Sequence, residues 1–384
     1  MNARIAITAL STISALGATA DEIWRNYQSQ QTHIQKKLVN KEMQFMACIR
    51  DELQAQLQII RTENTQYPQL DASVIYAMWV ARQALEQSQW GSNRQFGVFL
   101  GSSRGATQQF ENHHSTFLDG GTVSPHSSPT TTLGNLASTV ARDLKANGPS
   151  ISLSVTCSTS LHAIMNAVAW LRSGMESRFL AGGSEAALTS FTLHQMQALK
   201  IYARGDAIYP CRALDLTKTF NSMVLGEAAG IACLDISSEA NAIAYIDEVG
   251  YATDDAFTST GLSEAAICFQ KSMRMAIKNT DPSEIDVVVM HAPGTIKGDL
   301  YEWQAIERVF SHHMPMCTSN KWKIGHTLGA SGILSLQMAV LMLQHQYFIP
   351  VPYIPLSTRR KQIRKILVNA VGFGGNAVSI LLSR

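Results

Sequence analysis

Apolar positions along the chain come in two forms, short unbroken runs and longer stretches with helical spacing, and the two alternate. Residues 5–10 form a first apolar run, read as a buried strand, with a turn at Gly17. Residues 24–69 are polar and Gln-rich and predict no element. Residues 72–85 (ASVIYAMWVARQAL) recur at the 3.6-residue period of a helix. A short strand at 96–100 enters Gly101-Ser102-Ser103, a Ser/Thr/Pro-rich loop covers 124–132, and a helix covers 133–146. Gly148-Pro149 breaks the chain. The next run, 151–156, is a strand that leads straight into Cys157. The helix predicted over 158–173 is apolar nearly all round and closed by Gly174, the mark of a buried helix. Strands follow at 179–181 and 228–234.

A polar segment at 237–241 (SSEAN) reads as a linker, and a second alternating unit follows it. Strands are predicted at 243–248, 285–290 (IDVVVM, ending at His291), 366–371 and 378–382, and helices at 263–278, 299–310 and 328–345. This alternation predicts an α/β fold with largely buried sheets, in two units covering 1–236 and 242–384. No residue-level repeat links the two units.

Composition narrows the classes. The 384 residues are 46% hydrophobic and 16% charged, against about 25% charged in an ordinary globular domain. A large core and an oligomer that hides further surface fit that balance, and disordered, collagen-like and coiled-coil classes do not. The net charge of +2 gives no reason to expect nucleic acid. Six cysteines are scattered without CxxC or CxxH spacing, so neither a disulfide scaffold nor a metal site is predicted, and reduced thiols in a cytoplasm are. No run of about 18 consecutive apolar residues predicts a membrane span. Residues 1–20 have the early Arg4, apolar middle and small-residue end of a secretory signal, but Thr8, Ser11, Thr12 and Ser14 dilute the apolar part.

Several residues could carry chemistry. Cys157 stands where a buried strand turns into a buried helix, so the helix amino end and its free N–H groups favour a thiolate and can hold an oxyanion; an inert buried cysteine is the alternative. His291 ends a strand, where α/β sheets bind ligands, and opens a loop, HAPGTIKGD, in which Asp299 can cap the next helix. Lys321 and His326 lie in SNKWKIGHTLGASG, whose small residues imply tight packing after the histidine. Each of the three also reads as an ordinary structural or solvated residue when taken alone. Phe373 is a bulky ring on a hinge of glycines, Gly372 to Gly375.

Taken in order, these segments resemble the β-ketoacyl-[acyl-carrier-protein] synthases of the Cys-His-His kind. The resemblance runs from IAITALSTISALG at 5–17 through SVTCSTSLHAI, AGGSEAALTSF, MVLGEAAG, HAPGTIKGDLYE and KWKIGHTLGASG to VGFGG at 371–375. It implies that the chain starts with a buried strand rather than a signal. It implies the thiolase fold, two similar halves in five alternating layers (αβαβα), and a dimer. By motif, Cys157 is the acylated nucleophile, His291 and His326 are the decarboxylation pair and Lys321 is the family's lysine. Phe373 is the gate and shares the oxyanion site with Cys157, while Thr295, Phe191 and Gly374 contact substrate. An acyl carrier protein would bring the substrate on its phosphopantetheine, with no metal or redox cofactor. The partner subunit would be a second copy or a chain-length-factor-like chain. Docking of the acidic carrier is expected on 359–365 (RRKQIRK) or Arg204. The chain departs from the family at Pro293, at Ser335, where relatives carry a glutamate facing the lysine, in LDLTKTFNSM at 214–223, and at Asn376. Those departures suggest a pathway-specific synthase, of aryl polyene, flexirubin or type II polyketide type, with primary fatty-acid elongation or a chain-length-factor-like role as alternatives.

Overall fold

The computed structural model describes residues 4–236, 241–255, 261–355 and 362–384. The first half supplies strands β1 (Ile5–Ile13), β2 (Gln35–Val39), β3 (Glu42–Met46), β4 (Gly97–Gly101), β5 (Ser150–Leu153), β6 (Arg178–Glu185) and β7 (Ala228–Asp235). The second supplies β8 (Ala244–Thr253), β9 (Val287–Val289), β10 (Met316–Thr318), β11 (Lys365–Gly372) and β12 (Asn376–Ser383). Apart from the hairpin β2–β3, these strands run β5-β4-β6-β7-β1 in the first half and β10-β9-β11-β12-β8 in the second. Numbered within its half, each order reads third, second, fourth, fifth, first. Strand directions repeat as well, parallel among the first three and antiparallel thereafter. The repeat lies in topology and burial pattern, which many apolar side chains satisfy equally, so it leaves no trace at residue level.

The two halves meet through three residue pairs between β1 and β8 and through the helices Thr159–Ser173 and Ser331–His345. These helices share a core with Leu234 and Phe179 of one sheet and Ile366 and Ile380 of the other. Outside the first sheet lie the helices Ala72–Gln87 and Asn135–Leu144, and outside the second lie Ile267–Ala276 and Ile296–Val309. The result is the five-layered αβαβα arrangement expected of a thiolase fold. Strand β12 shows why its sequence is apolar without alternation. Val378, Ile380 and Leu382 face the central helices, while Ala377 and Leu381 face the outer layer. The most membrane-like described segment, Leu328–His345, is 89% buried within the fold, so its apolarity serves the central layer.

Some elements differ from expectation. The polar stretch 24–69 holds the end of the helix Ala20–Gln28, the hairpin β2–β3 and the helix Asp51–Thr62. The buried positions of the helix Asp51–Thr62, Leu53, Leu57 and Ile60, do keep helical spacing but are diluted by glutamines. The loop expected at 124–132 contains a short helix, Ser127–Thr131, and follows the helix Thr107–Gly120, which buries no residue and carries only Phe110, Phe117 and Leu118 as large apolar side chains among polar ones. Thr295, not Asp299, caps the helix Ile296–Val309, by accepting from the Gly298 N–H. Strand β5 stops at Leu153, three residues short of the predicted end. Of the expected linker, 237–240 lie outside the described residues.

Candidate active site

Between β5 and the central helix the chain makes a tight turn with Thr156 at φ 49°. The turn is held by its own side chains. Val155 N–H donates to Thr159 Oγ1 at 2.8 Å, and Ser158 Oγ donates to Val155 O at 3.0 Å. Cys157 therefore sits two residues ahead of the helix Thr159–Ser173. Gly372 of the β11–β12 hairpin presses on this turn so closely that a Cβ there would meet Thr156 Oγ1 at 2.0 Å and Val155 O at 2.5 Å. Phe373, the next residue, lines the same cavities as Cys157. Among the described residues neither the Cys157 nor the Phe373 N–H donates to a protein carbonyl.

The Cys157 thiol is 6% exposed. Burial pushes it up to about 12, Glu185 adding to the rise while Arg104 and Lys321 oppose it. The strand-to-helix position favours the thiolate, but burial works against it and is the larger effect. The sulfur is enclosed by protein as well as facing a helix end, and desolvation disfavours its charged form.

His291 follows β9, and its loop is anchored by the buried Glu302. One carboxylate oxygen accepts from the His291 N–H at 2.9 Å and the other from the Ala292 N–H at 2.8 Å. Burial pushes Glu302 up to about 7. His326 is pinned by its backbone, its N–H donating to Val224 O and its carbonyl accepting from Gly226 N–H. Gly325 before it adopts φ 64°, and a Cβ there would meet Val224 O at 2.8 Å. The two imidazoles lie edge to face, with ring centroids 5.1 Å apart. His326 Nδ1 contacts Ser331 Oγ at 2.8 Å, while His291 Nδ1 is buried without a partner among the described residues. Burial, with Lys321 adding to it, brings His326 down to about 3. Burial also holds His291 well below the usual imidazole range, with His326 and Lys321 contributing. Both rings are neutral at physiological pH.

Lys321 is buried behind His326. Its Nζ donates to Asn320 Oδ1 at 3.0 Å and approaches Ser335 Oγ at 3.5 Å. With Ser335 in place of an acid, burial brings the ammonium down to about 8, against the pull of the more distant Glu302. The departure at 214–223 is compensated in space. Lys218 Nζ donates to Asp299 Oδ2 at 2.6 Å, an ion pair 2% and 0% exposed. Asp299 in turn accepts from the Gly294 and Leu214 N–H groups, so the histidine loop is tied to a neighbouring segment.

Two cavities meet at Cys157. The larger, about 620 Å³, is lined by Cys157, His291, His326, Thr295 and Phe373 among others. The smaller, about 360 Å³, is lined by Cys157, Phe373, Phe191, Phe110, Arg104 and Glu111 among others. Phe373 borders both, at the junction where a gate would act. Phe191 lines the smaller cavity and is 61% exposed. Lys321 and Gly374 line neither, Lys321 standing behind the histidine and Gly374 lying in the hairpin turn at φ 84°. Arg204 borders a separate surface groove with Lys36 and Asp206. Of the basic run at 359–365, residues 359–361 lie outside the described residues, and Lys365 pairs with Glu284.

Sequence reasoning did not single out Glu185, Glu302, Ser331 or Arg104. Glu185 carried a usable signal, as a lone charge in the apolar and small run 179–189, whereas Glu302 did not, because Lys297, Asp299, Glu307 and Arg308 share its helix. Glu185 is buried and accepts from Ser102 Oγ and the Ser103, Arg104 and Gly329 N–H groups. Burial pushes it up to about 7.

Compared with known proteins, residues 2–240 match the family described as beta-ketoacyl synthase, N-terminal domain, and residues 243–354 match its C-terminal domain. A putative polyketide beta-ketoacyl synthase 1 of Streptomyces halstedii is 28% identical over 348 residues, 82% of each chain. A 3-oxoacyl-[acyl-carrier-protein] synthase 2 of Coxiella burnetii is 25% identical over 409 residues, 99% of this chain and 98% of that one. The solved ishigamide ketosynthase/chain length factor superposes with a TM-score of 0.88 at 20% identity, over 100% of this chain and 99% of that one.

Proposed function

Since the chain belongs to the β-ketoacyl synthase family, we propose that it joins an acyl group held on Cys157 to a malonyl unit carried by an acyl carrier protein, lengthening the acyl group by two carbons. The observation that carries this reading is the meeting of Cys157, His291 and His326 on one cavity with both imidazoles neutral. Residues 1–236 contribute the nucleophile, and residues 242–384 contribute the histidines and Lys321.

In the first step Cys157 Sγ attacks the carrier thioester. Its proton is lost as the new bond forms, and the neutral imidazoles are the basic groups on the same cavity. The free N–H groups of Cys157 and Phe373 receive the oxyanion. The carrier thiol leaves with a proton and the acyl group stays on sulfur. Malonyl carrier protein then enters past Thr295. Loss of carbon dioxide leaves an enolate, whose oxygen takes hydrogen bonds from His291 and His326. A hydroxyl proton donated by Ser331 to His326 Nδ1 leaves the ring proton on Nε2, where the enolate needs it. Neutral donors suit this task because they meet charge that develops only in the step. The carbanion attacks the acyl carbon on Cys157, the carbon–sulfur bond breaks, and the departing thiolate takes up a proton from solvent. The phosphopantetheine arrives on the carrier, and the reaction as written uses no metal or redox cofactor.

Ser335 beside Lys321, Ala292-Pro293 after His291 and Lys218 in the degraded segment support a pathway-specific synthase of aryl polyene or polyketide type over primary elongation. An intact nucleophile and histidine pair argue against a purely chain-length-factor-like role. A second subunit, a copy or a chain-length-factor-like chain, fits the exposed helix Thr107–Gly120, where Phe110, Phe117 and Leu118 are 62%, 48% and 69% exposed. Six unpaired cysteines support a cytoplasmic site of action. The test is incubation with a panel of acyl carrier proteins and malonyl carrier protein, with products weighed. Wild type is expected to extend acyl groups by two carbons, Cys157→Ala to make no product, and His291→Ala and His326→Ala to accept acyl groups yet fail to decarboxylate. Condensation by Cys157→Ala overturns the assignment.

A further inference from the structure

The smaller cavity at Cys157 has a wall that a hydrocarbon chain does not call for. Its sides are aromatic, Phe110, Phe191 and Phe373, but Arg104 and Glu111 also line it. Arg104 is no loose surface side chain. Its backbone follows β4 and is clamped by Glu185, which accepts from the Ser103 N–H at 2.8 Å and the Arg104 N–H at 3.1 Å. The guanidinium is half-buried. Nη1 donates to Gln195 Oε1 at 2.6 Å, and among the described residues the guanidinium donates to no carboxylate. Glu111 accepts instead from Thr189 Oγ1 at 2.6 Å. Arg104 also acts on the nucleophile through space, opposing the rise of the Cys157 thiol.

A guanidinium carries five N–H donors in a planar fork. Here one side-chain hydrogen bond is made. An acyl chain bound at Cys157 and lying in this cavity displaces the water that serves the other donors. A saturated chain replaces that water with methylene groups, leaving a cation desolvated and under-bonded, which is costly. A chain carrying an oxygen acceptor restores the lost hydrogen bonds and pairs them with a positive charge. Sites built around a buried polar group reject an analogue that lacks the matching group more strongly than apolar pockets discriminate by size.

We propose that Arg104 is a specificity-determining residue of the acyl pocket, selecting acyl groups that bear a hydrogen-bond-accepting oxygen (keto, hydroxyl or carboxylate) over plain hydrocarbon chains. The inference rests on the reading of Cys157 as the acylation site, and within it favours oxygenated, polyketide-type intermediates. The aromatic rings supply contact area along the chain, and Arg104 reads its functional groups.

The test compares acylation of Cys157, followed by intact mass, from octanoyl and 3-oxooctanoyl carrier-protein thioesters and from the monothioester of an eight-carbon dicarboxylic acid. Wild type is expected to take the oxygenated donors faster by about tenfold or more, as a hydrogen bond to a charged group allows. Arg104→Leu is expected to bring that ratio close to one or invert it, and Arg104→Lys, which keeps the charge and loses the fork, to fall between. Equal or faster acylation by octanoyl in wild type, or an unchanged ratio in Arg104→Leu, overturns the proposal while leaving Cys157 as the acylation site. No acylation by any donor, with iodoacetamide still alkylating Cys157, overturns the reading of the site and the proposal with it.

Discussion

The neutrality of the two histidines can be tested by acid. An ordinary imidazole titrates near 6.5, so at pH 5 only about 3% of it is neutral, and a rate that needs its neutral form falls about thirtyfold. If both rings behaved so, the two losses would multiply. His326 is instead brought down to about 3 by burial and by Lys321, which leaves it about 99% neutral at pH 5, and burial moves His291 the same way. The perturbation is therefore a pH series from 7.5 to 5, applied to Cys157→Ala so that condensation is removed and carbon dioxide release from malonyl carrier protein is read alone. The expected change from the histidines is less than twofold. Glu302 complicates the middle of the range, because it rises to about 7 and holds the backbone of the His291 loop. Its folded value lies above the ordinary carboxylate value, so its contribution to stability is full at low pH and is lost as pH rises through about 7. Glu302→Gln serves as the control, since it removes that titration; it keeps one of the two acceptor oxygens on the His291 loop, so its rates are compared with its own value at pH 7.5. An inflection near 7 is expected to vanish in the control. A tenfold or greater loss between pH 7.5 and 5 that persists in Glu302→Gln refutes the neutral-pair reasoning.

Three further substitutions probe the supporting structure. Lys218→Met leaves Asp299 as a buried carboxylate without its cation and should cost about 3–5 kcal/mol in denaturant unfolding, with Asp299→Asn recovering part of it; a loss below about 1 kcal/mol contradicts the role of the pair. Gly372→Ala places a methyl group where Thr156 Oγ1 and Val155 O already stand, so it should slow Cys157 acylation by about a hundredfold, the scale of an ångström-sized displacement, with little change in circular dichroism; wild-type acylation contradicts the close approach. Ser335→Glu gives Lys321 a carboxylate at the position where its Nζ now approaches a hydroxyl. Overpacking should cost about 1–3 kcal/mol, but the carboxylate should raise the lysine, now brought down to about 8 by burial, by about one unit or more, as read from the pH dependence of thermal unfolding; an unmoved lysine titration contradicts the pairing.

The sequence by itself determined the alternation of strands and helices in two units, most strand cores, and the candidate residues Cys157, His291 and His326. Those features are local. A buried strand must be apolar over a short window, and the resemblance rests on short motifs whose residue types are visible one at a time. Cys157, His291 and His326, quoted from segments far apart in the chain, do line one cavity. The tertiary structure decided what lies between such windows. Whether Cys157 rests as a thiol or a thiolate depends on how much protein encloses it, and the enclosing segments come from many parts of the chain. Glu185 binds the Gly329 N–H across 144 positions, and Lys218 reaches Asp299 across 81, separations that no pattern of hydrophobic residues encodes. The helix Thr107–Gly120 gave only a weak periodic signal, three large apolar residues in fourteen, because it buries nothing within its own chain. Arg104 carried no signal in the sequence, and only the fold places it on the cavity wall beside the nucleophile. Local periodicity is set by each element's own geometry, whereas protonation and pairing are set by which distant segments exclude water from a group, and that is known only once the chain is folded.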